Sequence, residues 1–400
     1  MKQRLFLILN LSLVSCFVIL GISIISPVLP QYALSFSIPI ALVGWAVSAF
    51  ALARVVMDIP AGLLADRFGR KRNMIFGLVL IILSSIAGGT ANNYGWLISA
   101  RIVEGIGSAL YITAATTWVA QISAGESRGR YTSVYSGLIF AGTAFGPTVG
   151  GYTAAHFGLN APFFVYAIFA FIGLMATIPL KETADSSQAT RPKMRMKDVL
   201  SALSNGPFML VNCAVLASFF LSTGVRATLV PLYASLNLGL PEEKIGILLT
   251  VAAVGTAISI FPSGWLSDKV GRKIPMMACL FLTGIAALLI PLRQSLAGLT
   301  GVMAFYGLAM GLHGSIAAWP ADVAPKNRLG TSMGVYRVMG DIGMVLGPIT
   351  VTYVADYTGH LTVTFMAFLV PALLSFVVGL LMIKAKDPAA KGHAEEYMVE

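Results

Sequence analysis

Charge is the commodity this sequence has least of. Of its 400 residues only 11% are Asp, Glu, Lys or Arg, against about 25% in a typical soluble domain, while 57% are hydrophobic and the mean hydropathy is +0.82. Such a chain cannot clothe a globular surface in water. Cysteine is scarce as well: Cys16, Cys213 and Cys279 are an odd number, all within apolar runs and without metal-ligand spacing, so packing is their reading. Acids are fewer than bases, 17 against 27, which leaves a net charge of +10. A soluble enzyme, a nucleic-acid binder and a secreted disulfide scaffold are excluded at this step.

What is present is a series of apolar runs of about 20 residues separated by short polar loops, the pattern of bilayer-spanning helices. Twelve spans are predicted, at 5–29, 42–64, 73–92, 96–120, 131–154 and 161–180, then 207–232, 244–267, 274–292, 298–320, 331–354 and 361–383. Residues 13–16, Leu-Val-Ser-Cys, resemble the end of a lipoprotein signal, but the apolar run continues through Val28 and cleavage would halve the first span. Twenty-one of the 27 basic residues fall before the first span, after the last, or on every second loop between, while the intervening loops hold only Lys244 and Arg293. The positive-inside rule then puts both termini in the cytoplasm. A multi-pass protein of a bacterial inner (cytoplasmic) membrane is expected, its basic residues marking topology rather than a nucleic-acid partner.

The chain is one unit used twice. Pro30 and Tyr32 recur 201 residues later as Pro231 and Tyr233, and Gly44, Pro60, Gly62 and Asp66 recur 202 later as Gly246, Pro262, Gly264 and Asp268. Trp118, Gly129, Gly142, Gly146 and Pro147 recur 201 later as Trp319, Gly330, Gly343, Gly347 and Pro348. The expected organisation is a six-helix bundle over 1–180, a cytoplasmic linker over 181–206, a second six-helix bundle over 207–384 and a cytoplasmic tail over 385–400. Two parallel six-span halves are an architecture of secondary transporters, with the substrate site at midplane between them.

The loop after the second span reads Gly62-Leu-Leu-Ala-Asp66-Arg67-Phe-Gly69-Arg70-Lys71-Arg72, and its copy reads Gly264-Trp-Leu-Ser-Asp268-Lys269-Val-Gly271-Arg272-Lys273. An acid at a helix end, a glycine-permitted turn and a basic cluster at headgroup level suit a gate; alternatively the basic residues only set topology and bind anionic lipid. This loop is similar to the signature of the major facilitator superfamily, and the chain resembles that family end to end. The resemblance implies an all-α membrane fold of 12 transmembrane helices in two pseudo-symmetric bundles, with Asp66, Arg70 and Asp268 gating the cytoplasmic side. The run Gly142-Thr-Ala-Phe-Gly146-Pro147-Thr-Val-Gly150-Gly151 resembles the antiporter motif of the drug–proton antiporter branch. Its glycines, four apart, permit close helix packing, and Pro147 removes a backbone hydrogen bond. Arg101-Ile-Val-Glu104-Gly105 resembles the family's arginine motif, which implies proton coupling at Arg101; Glu104, on the same helical stripe and standing where the family often has glutamine, is a candidate protonated group, with a static ion pair to Arg101 as the bland alternative.

Charges inside a span cost about 2.5–3.5 kcal/mol each on insertion scales and are functional by default. Four arginines (Arg54, Arg101, Arg226, Arg337) face three such acids (Asp58, Glu104, Asp341), an excess of one positive charge. Arg54 and Asp58 lie one turn apart, either as a self-contained pair or as a gate with Asp58 a proton site. Arg337 and Asp341 have the same spacing, and Asp341 is the candidate for coupling in the second half. Arg226, Arg337, His313, Tyr306 and Gln31 are candidates for substrate binding; internal pairing with Asp341 is the bland alternative for the two arginines, and a hydrogen-bonded packing role for His313. The first span has no acid to attract a cation, which leaves room for neutral, zwitterionic or anionic amphiphiles.

The function expected is a proton-coupled exporter of a small amphiphilic compound, acting as a monomer by alternating access. Proton-coupled uptake of an organic acid, sugar or lipid-like metabolite is the rival. A receptor without turnover has no signalling domain to support it. With no nucleotide loop, metal cluster or nucleophile–base set, neither enzyme activity nor a cofactor is expected, the proton gradient being the energy source.

Overall fold

The computed structural model describes residues 2–122, 128–180, 204–315, 329–359 and 363–385, together with Trp319 and Val323. Most of the expected linker and tail therefore lie outside the described residues. The chain is helical, with no strand among the described residues. In order the elements are α1 (Lys2–Ile25), α2 (Leu29–Leu34), α3 (Ile40–Phe68), α4 (Arg70–Gly89), α5 (Tyr94–Ile122), α6 (Arg128–Phe157) and α7 (Ala161–Thr177). Next come α8 (Gly206–Phe220), a π-helical stretch (Leu221–Leu229), α9 (Val230–Leu236), α10 (Glu242–Val270), α11 (Lys273–Leu289), α12 (Leu296–Gly311), α13 (Leu329–Gly359) and α14 (Phe365–Leu381).

Among the described residues ten helical segments are long and apolar enough to cross a bilayer; outside that set, α7 is apolar but shorter and α6 spans 30 residues with a more polar composition. Exposed apolar side chains such as Phe6, Leu63, Phe171, Phe261 and Val377 lie along these helices, as expected of segments that meet lipid. Several helices outrun the predicted spans, α3 and α13 by several residues, because a helix continues past the hydrocarbon edge wherever its backbone hydrogen bonds are still met internally.

The chain divides into two compact units, one of Met1–Ser187 with Gly239–Thr250, the other of Gln188–Leu238 with Val251–Glu400. In the first, α1 packs on α6 and α7, and α5 packs on α3 and α4. In the second, α13 packs along α8 and the π-helical stretch, while α11 packs on α12 and α14.

The repeat seen in the sequence is a structural one. Gly69 and Gly271, each ending the second helix of its copy, take φ of +89° and +87°, a left-handed turn that favours glycine. Trp118 and Trp319 are both fully buried. The Tyr32 hydroxyl donates to the Gly88 carbonyl at 3.0 Å, and its counterpart Tyr233 donates to the carbonyls of Pro291 (3.2 Å) and Arg293 (3.1 Å).

Candidate functional site

Helix α5 carries Arg101 and Glu104 into the core of the first unit, where they are 4% and 1% exposed. Three residues apart, they share a helix face. Arg101 Nη1 pairs with Glu104 Oε2, and Arg101 Nε donates to the Ala46 carbonyl at 3.3 Å. The guanidinium also lies over the Phe50 ring, 4.9 Å from its centroid, a favourable cation–π geometry. Close approach is possible because Gly105 faces the Phe50 carbonyl and Ala53, where a Cβ would collide. The second carboxylate oxygen, Glu104 Oε1, is buried without a hydrogen-bond partner among the described residues.

Sequence reasoning missed Tyr166 on α7. It is fully buried, its hydroxyl has no hydrogen-bond partner among the described residues, and it lies within electrostatic reach of both Glu104 and Arg101. Its ring occupies the space left by Gly21 on α1. The only sequence signal was a tyrosine in an apolar run. Equally unforeseen is the buried cluster in which Ser15 Oγ lies 3.0 Å from the Tyr111 hydroxyl and donates to the Tyr135 hydroxyl at 3.3 Å.

Two pairings that the spacing left open are not made. Arg54 and Asp58 form no ion pair with each other; Arg54 instead sits over Phe50, 5.9 Å from the ring centroid. Arg337 and Asp341 do not pair either, since Arg337 points to the exposed side of α13 while Asp341 is buried, 5% exposed. Four residues advance a helix by about 400°, so the two side chains leave the axis about 40° apart and can meet different surroundings.

In the second unit the guanidinium of Arg226 sits in the π-helical stretch and donates from Nη2 to Ser222 Oγ at 3.4 Å. It pairs with no carboxylate among the described residues, so the alternative of internal pairing with Asp341 is not realised. Tyr306 on α12 is fully buried, within electrostatic reach of Arg226, and its hydroxyl donates to the Leu221 carbonyl at 2.9 Å. His313 leaves the α12 axis in a 3-10 turn (Leu312–Ser315) and meets Phe219 edge-on at 5.7 Å, its Nδ1 buried without a partner. Its edge contact with Phe219 is a packing role, and no hydrogen bond at Nδ1 accompanies it among the described residues. Gln31 is buried on α2 in the first unit.

At the predicted gate Asp66 is exposed and Arg70 half-buried. In the copy, Asp268 lies 3.6 Å from Arg272 Nη1, which also donates to Ser267 Oγ at 3.2 Å. The glycine motif of α6 works as a two-sided seam. Gly142, Gly146 and Gly150 face the backbone of α1 at Cys16, Leu20 and Ile24. Gly151 and the Pro147 carbonyl face Glu242 and Gly246 at the start of α10, where Thr148 Oγ1 donates to Thr250 Oγ1 at 2.8 Å.

A buried arginine–carboxylate pair, a second arginine without a carboxylate among the described residues and two copies of one glycine-turned loop are thus in place, and comparison with known proteins decides the family. The Major Facilitator Superfamily matches residues 11–241 and 211–397. The chain belongs to this superfamily. As a major facilitator protein it is similar to multidrug resistance protein 2 of Bacillus subtilis, at 27% identity over 403 residues covering 97% of this chain and 98% of that protein. It is also similar to the multi-drug resistance efflux pump PmrA of Streptococcus pneumoniae, at 27% identity covering 79% of this chain and 80% of PmrA. These relatives place the facilitator with the drug-efflux branch, as a multi-pass protein of the cell membrane that handles a small-molecule substrate. Among solved structures, a mutant of the nucleoside transporter NupG superposes with a TM-score of 0.78 at 15% identity, covering 94% of this chain and 99% of that one. The human organic anion transporter MFSD10 gives 0.68 at 18%, covering 95% and 99%. At such identities these two establish the fold alone.

Proposed function

We propose that this facilitator is a twelve-span, proton-coupled exporter of a small amphiphilic compound, acting as a monomer by alternating access with both termini in the cytoplasm. The twelve spans are the ten apolar helical segments with α6 and α7 added. The observation that carries the coupling is the buried Arg101–Glu104 pair. One carboxylate oxygen is held by the guanidinium while the other has no partner, so Glu104 can take up a proton there and loosen its hold on Arg101. Asp58, half-buried and without an ion pair among the described residues, and buried Asp341 are the further acids of the pathway. Asp66, Arg70, Asp268 and Arg54 form the cytoplasmic gate. Gradient energy suffices: a tenfold proton gradient is worth about 1.4 kcal/mol per proton and the membrane potential about 2.3 kcal/mol per 100 mV.

Export is supported by the drug-efflux relatives and by the glycine seam of α6. Proteoliposomes with an imposed pH gradient test the proposal, using wild type, Glu104→Gln, Asp58→Asn and Asp341→Asn. Gradient-driven export lost in Glu104→Gln supports it, and full export in all three variants sinks it. The arginine excess favours one second reading, proton-coupled uptake of an organic acid. Inward flux down an inward proton gradient distinguishes it.

A further inference from the structure

The two units differ where the repeat places chemistry. Gly105 and Gly307, 202 residues apart, each accept a neighbouring backbone carbonyl, Phe50 in one copy and Ala252 in the other, themselves 202 apart. By that register Glu104 and Tyr306 hold the same position. In the first unit the position carries the carboxylate that neutralises Arg101. In the second it carries a phenol committed to the Leu221 carbonyl, and the nearby Arg226 has a serine hydroxyl at 3.4 Å but no carboxylate among the described residues.

Local backbone structure explains how Arg226 is presented. Gly142 and Gly146 face Cys16 and Leu20 of α1, whereas Gly343 and Gly347 face Leu216 and Phe220 of α8, an offset of 200. Beyond the π-helical stretch the offset is 201, as for Pro30 and Pro231. One extra residue has thus entered between, and the wide turn absorbs it, with Val230 N bonded to the Val225 carbonyl and Thr228 Oγ1 to that of Thr223. Such single-turn widenings accompany functional sites. Pro231 favours it here, having no N–H to give an α-helical turn. Arg226 lies inside the widened turn, half-buried. A cation in a membrane span without an acid is costly to keep, and a planar guanidinium with free donors matches a carboxylate in two-point geometry.

We infer that Arg226, with Ser222 and Tyr306 beside it, is the subsite that receives a carboxylate group of the transported amphiphile. This rests on the transport reading above and narrows its substrate class to carboxylate-bearing compounds. Anion binding there supplies the charge that Glu104 supplies to Arg101, so the substrate completes the second unit.

The test uses the full-length protein in lipid nanodiscs with no gradient, so that neither coupling nor flux direction bears on the result. Three fluorescent aromatic carboxylates (9-anthracenecarboxylate, 1-pyrenebutyrate and dansylglycine) are titrated beside their methyl esters. At least one carboxylate is expected to bind tenfold or more tightly than its ester. Arg226→Gln should remove that preference while leaving ester affinity within twofold. If Arg226→Gln does not fold, Arg226→Lys decides: a point charge without the fork should weaken the carboxylate about threefold and spare the ester. No carboxylate preference in any wild-type pair, or a preference unchanged by the Arg226 variant, overturns the subsite. Gradient-driven export could still hold in that case, and a confirmed subsite would stand if export failed.

Discussion

The first and seventh spans begin as copies and end differently. Both lay a helix against glycines of a partner, α1 against Gly142 and Gly146, α8 and its continuation against Gly343 and Gly347. Near its end the first span breaks at Ser26–Val28, beside Pro27, and restarts as α2. The seventh span, with Thr228 in the corresponding region and only Pro231 beyond it, stays continuous by widening into a π-helix. The small-residue seams, the Tyr32/Tyr233 anchors and the glycine turns at Gly69 and Gly271 are common to both copies. The charges inside the spans are not. Packing is what the repeat shares, and chemistry is where its copies part.

The largest expected effect breaks the paired-charge side of that comparison. Arg101→Leu strands a buried carboxylate and should cost about 3–5 kcal/mol. Arg101→Leu with Glu104→Leu should recover most of it, as read by thermal unfolding in detergent; a double variant no better than the single would contradict the pairing. The shared seam comes next. Gly142→Ala and Gly343→Ala each drive a Cβ into a backbone carbonyl, Cys16 or Leu216, and each should lose about 1–3 kcal/mol. Gly264→Ala, with nothing within 4 Å of the added carbon, serves as the neutral control. Tyr306→Glu would give the second unit the acid of the first, and should abolish carboxylate preference in nanodiscs while sparing the methyl esters. Smallest are Tyr32→Phe and Tyr233→Phe, which remove matching hydrogen bonds to backbone carbonyls. Each should lower stability by about 1 kcal/mol, and unequal losses would show that the two anchors are not equivalent.

Much of the helical architecture was legible in the sequence because apolar run length and repeat spacing are properties of composition. The Arg101–Glu104 pair was legible as far as its three-residue spacing, which puts both members on one helix face; the Phe50 ring and the Ala46 carbonyl beside the guanidinium were not. The same spacing left a pair open between Arg54 and Asp58 and between Arg337 and Asp341, and neither forms. Four-residue spacing brings two side chains near each other, but Arg54 lies over the Phe50 ring, and Arg337 is exposed where Asp341 is buried. Tyr166 was illegible because its place depends on Gly21, a residue on another helix and nearly 150 positions away. The widened turn was hidden because a one-residue slip is visible only when anchored on helix partners that spacing alone does not identify.

An added residue inside a helix ordinarily rotates everything beyond it by about 100°. Here Pro231 and Tyr233 return to the places held by Pro30 and Tyr32, so the rotation is spent within Leu221–Leu229 and does not propagate. A duplicated fold can therefore acquire a new reader of substrate by lengthening one turn, with the scaffold on either side left in phase.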